Sequence, residues 1–548
     1  MPFCCYDLFE KDSGGRKMEI TTKQLDHHGL VAGTFDKFEM GEVIEKRIPK
    51  VRNFNLSTSA IIKAMIILGL GFVDRRLYFA GSYFENWDVE KLLGEGTKPE
   101  DLNDDALGRV LDKIYDYGPT ELFQEIAAHA LNKLEMDVHL VHTDTTSVSV
   151  SGNYEMEDGT NGFKITFGHS KDHRQDLKQF VIGMVVNQHG MPMFAKTYNG
   201  NESDKESIKE MVKAIRKNID KDKKVYHVAD SAFYTAENIS ELRTTYWISH
   251  VPSTIKEAEE MLNKEVEFRP TKIEGYEVYS EISNYGGIKQ KWIMVNSKYL
   301  KEQELKTFDR HLKKSKTEAE KSLKKTVTKE RYFCSEDGIN KSRQWMEAHP
   351  LFKYDKFEIK SVRVRTDGKR GRPKDGDPTI EMYEIDAEIG LNEEAVEKAK
   401  AKLGRFILST NDIELEDEKV LEYYKNQTTV ERGFRFLKDK SFGVSDVYLK
   451  KPGRIQALVM IMVLTLLVYS LSEWEIRRTL KETGQTFPNQ LKKPTNRPTF
   501  RWICQNFMNI TVVNVVTDGQ TTTQIANLKD LQIKVIRLLG VEYEKYYF

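Results

Sequence analysis

The sequence specifies an α/β chain with a mixed sheet at its core, on three grounds. From residue 136, segments rich in β-branched residues give way to alternating strand and helix patterns. KVYHVAD (224–230) is a continuous apolar run of the kind buried inside α/β sheets. The same texture resumes at GRFILSTND (404–412), after an interruption over 253–395.

Taken in order, residues 17–135 read as mostly helical. STSAIIKAMIILGL (57–70) is an apolar helix opened by serine and threonine caps and closed near glycine. Two more helical patterns over 102–133 are split at Gly118-Pro119. MDVHLVHTDTTSVSV (136–150), GFKITF (162–167) and QFVIGMVVN (179–187) are predicted strands, and a His189-Gly190 turn leads into MPMFAKTY. Over 202–219, Ile208, Met211, Val212 and Ile215 form an amphipathic stripe. A short helix (235–244) and the strand YWISHVP (246–252) complete this block.

The interruption holds the strand-like pieces YEVYSEI, KWIMVN, FEIKSVRVR and TIEMYEIDAEIG around a charged helical stretch at 299–331. Residues 301–331 carry 11 Lys and Arg against 6 Asp and Glu. A long helix over 417–438 and an apolar helix over 455–475 follow. The expected organisation is a helical N-terminal domain (1–135), a first core half (136–252), a β-rich insertion (253–395), a second core half (396–480) and a C-terminal region (481–548).

The 548 residues include 84 Lys and Arg and 84 Asp and Glu, so the whole chain has no net attraction for nucleic acid and any such contact must be local. Hydrophobic residues at 39% and charged residues at 31% exclude a disordered or collagen-like chain. Cys4, Cys5, Cys334 and Cys504 form no disulfide framework and no repeated CxxC metal site, which fits a reducing cytoplasm. The N-terminus has no basic segment leading into an apolar one, so no signal peptide is read. ALVMIMVLTLLVYSL (457–471) falls short of the roughly 20 residues that cross a bilayer, and SEWEIRR follows it directly. It is expected to be a core helix, with no membrane contact.

Three carboxylates stand out. Asp144 lies within a strand among apolar and small polar residues, where a carboxylate is unfavourable unless paired or bound to a cation. Asp230 ends KVYHVAD, and sites collect at the carboxyl ends of such strands. Either aspartate alone is more often a turn or cap residue. In EKVLEYYKNQTTVERGFRFLKD, Tyr424, Gln427, Glu431 and Lys438 return to one helical face. Val430, Phe434 and Leu437 form the apolar stripe beside it. A solvated face with a Glu431–Arg435 pair is the plainer reading of that helix taken alone. Oxygen donors without a Cys/His cluster suit Mg²⁺ or Mn²⁺, and two such ions can cut a phosphodiester.

These residues carry a family resemblance. The chain resembles bacterial insertion-sequence transposases of the DDE type, in the group with a β-rich insertion and a Y-R-E-K signature. Tyr424, Glu431 and Lys438 match that signature at its spacing, and Gln427 stands at the arginine position. Asp144 and Asp230 match the family's first two aspartates by context, and HSKDHRQDLKQF (169–180) and GNESD (200–204) resemble blocks between them. The resemblance spans about 20–475. It implies a ribonuclease H-like core interrupted by the insertion, with Asp144, Asp230 and Glu431 as catalytic and metal-holding residues. Two Mg²⁺ or Mn²⁺ ions would serve cleavage at element ends and transfer of the 3′-hydroxyl to target DNA. It further implies a nucleoid-associated bacterial protein acting as a homodimer or higher oligomer on terminal inverted repeats, which the N-terminal helices would bind. Residues 481–548 would serve dimerisation or DNA contact. Tyr424 and Lys438 would contact phosphates near the cut end, as would Gln427 and Arg435 on the same helix.

Other expected contacts are local. Arg370 and Arg372, in KRGRPK (369–374), suit phosphate contact or a narrow A·T minor groove. Lys171, His173, Arg174 and Lys178 could hold backbone phosphate or form a solvated loop. His142 reads as structural. Trp247, Trp292, Trp345 and Trp474 are stacking or core residues. The competing functions are a metal-dependent nuclease without strand transfer and a transposase-derived DNA-binding protein.

Overall fold

A computed structural model describes residues 8–11, 17–50, 55–72, 80–152, 154, 163–172, 174–218, 223–367, 372–439, 449, 451–517 and 520–548. Cys4, Cys5, His173 and Arg370 lie outside the described residues.

The large sheet has nine strands. They are β1 (Leu140–Val150), β2 (Lys178–Asn187), β3 (Pro192–Tyr198), β4 (Tyr226–Ala229), β5 (Tyr246–Val251), β6 (Arg269–Pro270), β7 (Tyr276–Ser283), β8 (Gln290–Ser297) and β9 (Arg405–Thr410). Their order is β3-β2-β1-β4-β5-β9-β8-β7-β6. β1 runs parallel to β4 and β4 to β5, whereas the flanking pairings are antiparallel. The strands at the insertion's start thus join the core sheet through β9. β2 is buried on both faces, which is why FVIGMVV shows no polar alternation. Val148 and Val150 pack toward Val430, Phe434 and Leu437, while Val141 on the opposite face packs toward helix Asp204–Asn218.

The described part of GFKITF, residues 163–167, does not form a strand. Its one ladder contact among the described residues is the bridge of Thr166 to Gln179. The segment crosses the chain at Gly168 and Gly200 instead. A Cβ on Gly168 would lie 1.9 Å from the Gly200 carbonyl oxygen, and one on Gly200 would lie 2.1 Å from that of Gln179. The Gln179 side-chain amide donates to the Gly200 carbonyl at 2.7 Å, tying the crossing to β2. This close passage carries residues 169–172 over the edge of β1.

The rest of the insertion builds a separate small sheet from Arg331–Tyr332, Phe352–Arg365 and Thr379–Leu391. Helix Ser335–Glu347 covers it, with Tyr332, Trp345, Ile385 and Ile389 in its own core. Helix Lys298–Leu323 connects it to β8.

Helices His28–Lys37, Thr58–Gly69, Asp104–Tyr117 and Pro119–Lys133 pack around helix Pro452–Glu482. The sequence signals hold: Ser57 accepts the amide of Ala60 as N-cap, and Gly118, at φ 113°, separates the last two of these helices ahead of Pro119. Helix Pro452–Glu482 has 31 residues, so its length does not set it apart from a membrane span. Burial inside the protein does. Its most apolar window is 78% buried.

Residues 17–24, within the region read as helical, form strand Lys17–Gln24. It pairs with Thr511–Thr517, which pairs in turn with Gln520–Ala526. Gly29 and Gly33 leave room for the rings of Tyr547 and Tyr543, whose atoms would stand 2.7 and 2.6 Å from a Cβ at those positions. The Tyr547 hydroxyl donates to the Asp26 carbonyl at 2.5 Å. Thr34 meets the hydroxyls of Ser472 and Tyr543 at 2.7 and 3.0 Å. The two ends of the chain therefore close one lobe. Truncation after residue 508 removes the strand and the tyrosines together, so the shortened protein should aggregate or melt well below the full chain in a thermal scan. Equal melting temperatures would show that the C-terminal segment does not support the lobe.

Candidate active site

The last register pair of β1 and β4 is Thr143 with Ala229, so Asp144 and Asp230 follow it side by side on parallel neighbours. Such strands lie about 4.8 Å apart. Asp144 keeps 18% of its side chain exposed, and its Oδ1 accepts the Thr145 amide at 2.7 Å. Burial pushes its carboxyl up to about 6, and the charge of Asp230 adds to the rise while Lys171 opposes it. Asp230 is raised by burial as well, against the Ala232 amide that its Oδ1 accepts at 3.0 Å.

Glu431 comes from the other side. The region 417–438 is two helices, Asp417–Lys425 and Thr428–Lys438, broken at Asn426–Gln427. The threonines explain the break. Thr429 Oγ1 donates to the Asn426 carbonyl at 2.8 Å, and Thr428 Oγ1 reaches the Lys425 carbonyl at 3.5 Å. These hydroxyls compete for carbonyls that a continuous helix would use. Val430, Phe434 and Leu437 are buried on the sheet as their spacing predicts. Gly433 lets the helix sit close, since a Cβ there would lie 2.7 Å from Met184 Cε. Met184 is the cross-strand partner of Asp144, so the helix closes on the face that holds the carboxylate.

Tyr424 links the parts. Burial raises its phenol to about 12, and the charges of Asp230 and Glu431 both contribute. Glu431 and Arg435 are exposed, and no ion pair joins them. Gln427 is half-buried.

The loop after the Gly168 crossing fills the space between these elements. The Lys171 ammonium donates to Thr145 O at 2.7 Å and Thr145 Oγ1 at 2.9 Å, and lies 3.7 Å from Asp144 and 3.6 Å from Asp204. Thr145 Oγ1 donates to Asp204 at 2.6 Å. Lys438 pairs with Asp172 at 2.8 Å. Arg174 is turned to Asp176, forming two bonds of 2.9 and 2.8 Å. Lys178 donates to the Tyr154 carbonyl at 3.2 Å. Arg372 is exposed in the segment between strands Phe352–Arg365 and Thr379–Leu391, and makes no contact with this cluster among the described residues.

His142 is wholly buried, its ring nitrogens unpartnered and its pKa lowered to about 4 by burial. Trp247, Trp292 and Trp345 are buried, and Trp474 is half-buried beside His189 and Arg478. Sequence reasoning had no role for Thr145, Asp172 or Asp204. The available signal was that Asp172 and Asp204 fall inside the two blocks between the aspartates.

The donors facing this space are carboxylate oxygens without a Cys or His, and the Lys171 ammonium shows that positive charge is accommodated beside Asp144. This chemistry suits a hard divalent cation. Among the described residues, no three His, Cys, Asp or Glu side chains converge as one ready-made metal cage.

The block β3-β2-β1-β4-β5, with carboxylates on β1 and just after β4 and a helix closing on the same face, defines a ribonuclease H-like core. A family model described as the transposase DDE domain matches residues 137–468, more than half of the chain, and the protein belongs to that family. Residues 20–128 match a second family, a domain of unknown function (DUF4277). No curated protein matches the chain. Family membership makes the chain a transposase, with DNA as its implied partner and divalent metals as the family's general cofactors.

The raised carboxyl of Asp144 has a consequence for stability. Its folded pKa, about 6, exceeds the ordinary 3.8, so the folded state binds the proton more tightly. This group's contribution is greatest below 3.8 and is lost as pH rises to about 6. Asp144→Asn, scanned thermally in chelator, should therefore be more stable than wild type at pH 7.5, by on the order of 2 kcal/mol. The gain should vanish near pH 4. A variant less stable at pH 7.5 would mean that the Lys171 pairing outweighs burial.

Proposed function

We propose that this transposase cuts DNA at the ends of its element and joins the freed 3′-hydroxyl to target DNA. The placement of Asp144 beside Asp230 on parallel strands is the observation that carries the reading. Asp144 and Asp230 would hold Mg²⁺ or Mn²⁺, with Glu431 brought from helix Thr428–Lys438. A pair of such ions supplies nucleophile activation and stabilisation of the leaving oxygen. Tyr424 has a high phenol pKa, stays protonated, and offers a hydrogen bond to phosphate near the cut. Lys438 would leave Asp172 for a phosphate oxygen, where an ammonium acts as a point charge. Gln427 supplies a neutral amide at the signature's arginine position, and Arg435 an exposed guanidinium one turn beyond Glu431. Lys171 would balance charge at the carboxylates. Arg174, Arg372 and the undescribed His173 and Arg370 would add backbone contacts.

The N-terminal helices would bind the inverted repeats, and a homodimer or higher oligomer would hold two ends together in the bacterial cytoplasm, on the nucleoid. Residues 481–548 close the N-terminal lobe, so their part in dimerisation or DNA contact would be exercised through it. Deleting residues 1–130 would uncover helix Pro452–Glu482, so end binding is better tested with surface point variants.

The test uses labelled duplex carrying the flanking inverted repeats, with Mg²⁺ or Mn²⁺ and a target plasmid. Wild type should nick at the repeat boundary and give a joined product. Asp230→Ala and Glu431→Ala should each lower cleavage by at least about 100-fold, the scale of losing a group that acts in the transition state, with end binding kept. Cleavage without joining would favour a nuclease. Binding without any cleavage would favour a DNA-binding protein, and cutting by both variants would refute the carboxylate assignment.

A further inference from the structure

The basic excess in the insertion is sorted onto one face of helix Lys298–Leu323. Leu312, Ala319 and Leu323 turn toward the small domain's core. Lys306, Arg310, Lys313 and Lys321, with Lys324 at the helix end, recur at steps of three, four and eight on the opposite face, and all are exposed. None of the five takes part in an ion pair or side-chain hydrogen bond among the described residues. Three of the helix's five acids are held by groups outside this set, and Glu302 and Glu320 stay exposed. Glu304 accepts the Gly404 amide at 2.6 Å, Asp309 faces Lys400 at 3.6 Å, and Glu318 faces Lys314 at 3.8 Å. A chain of zero net charge thus concentrates unneutralised cations along one straight edge.

We infer that this helix face is a sequence-independent docking surface for the phosphate backbone of double-stranded DNA. The ladder runs about 27 Å at 1.5 Å per residue. Duplex DNA carries one phosphate per about 1.7 Å of helix axis with both strands counted, so an edge of this length meets several phosphates where the strands wind past it. Four or five cations separated by about 4.5 to 12 Å along the helix can each meet a different phosphate. They carry no base-reading pattern, because lysines on a straight helix face outside a groove contact charge and not base edges. The occupant is duplex outside the cut site, flanking or target DNA. This inference rests on the transposase reading for its partner but not on the carboxylate site.

The test is the salt dependence of binding to a random-sequence duplex without divalent metal. Each phosphate contact contributes about 0.9 to the slope of log Kobs against log salt. The variant Lys306→Gln/Arg310→Gln/Lys313→Gln/Lys321→Gln should lower the slope by up to about 3.6 and weaken binding at low salt by at least tenfold. A charge-matched control at exposed lysines outside the regions assigned to DNA, Lys217→Gln/Lys256→Gln/Lys289→Gln/Lys402→Gln, should lower it by less than 1. Circular dichroism and melting temperature establish that both variants fold. Equal slopes for the two variants overturn the proposal. An unchanged slope with altered elution on size exclusion also overturns it, and assigns the face to a protein partner or a second copy. Because the duplex has no element ends, the result stands whether or not cleavage occurs.

Discussion

A carboxylate held in the middle of a buried strand is the constraint around which the catalytic half is arranged. Asp144 sits on β1, the central strand of the ribonuclease H-like block, flanked on its own face by buried His142 and Thr146 with Val148 and Val150 beyond. An unpaired charge there is costly. The surroundings meet that cost with an amide from Thr145 and an ammonium from Lys171. Lys171 reaches the site only because the loop bearing it crosses β2 at two glycines, where side chains would strike backbone. The same loop presents Asp172 to Lys438. A cation thus faces the carboxylates and an anion faces the signature lysine, from adjacent residues, and Asp144, Asp204, Asp230 and Glu431 still leave the site with an excess of carboxylates.

Helix Pro452–Glu482 performs the corresponding task for the rest of the chain. It is apolar nearly all round because it has neighbours nearly all round: N-terminal helices, the edge of the large sheet, and the C-terminal helices. Its polar residues are placed where those neighbours supply partners. Glu475 is buried and answered by Lys37 at 2.5 Å and Arg478 at 2.7 Å, and Ser472 by Thr34. Through Leu466 it also touches Gly433 on the helix of Glu431. One continuous apolar cluster therefore joins the end-closing lobe to the face of the sheet that bears Asp144.

Local signals were legible wherever a residue's environment is set by its near neighbours. Ser57 and Gly118 marked helix ends, the apolar runs of β2 and β4 marked buried strands, and Val430, Phe434 and Leu437 marked the packing face. Non-local pairing was not legible. Lys17–Gln24 is a strand because Thr511–Thr517 lies beside it, and nothing within reach of residue 20 announces that partner. GFKITF has the composition of a strand, yet the passage between Gly168 and Gly200 determines its path. The break at Asn426–Gln427 was local but was masked by good helix formers on both sides of two threonines. The resemblance named the carboxylates. It said nothing of Thr145 and Asp204, whose hydrogen bond becomes apparent only when β1 and helix Asp204–Asn218 are folded together.

The departure of Gln427 from the arginine of the signature is consistent with the charge arrangement around it. The helix break turns residue 427 into the cap of the second helix, and its side chain is half-buried. A guanidinium there would need a carboxylate to offset its burial, and Glu431 stands one turn further along the same helix. A neutral amide can donate to phosphate without competing for those oxygens. The positive charge removed at 427 is available nearby from exposed Arg435 and from Lys438, which are free of that conflict because they lie beyond the turn that carries Glu431.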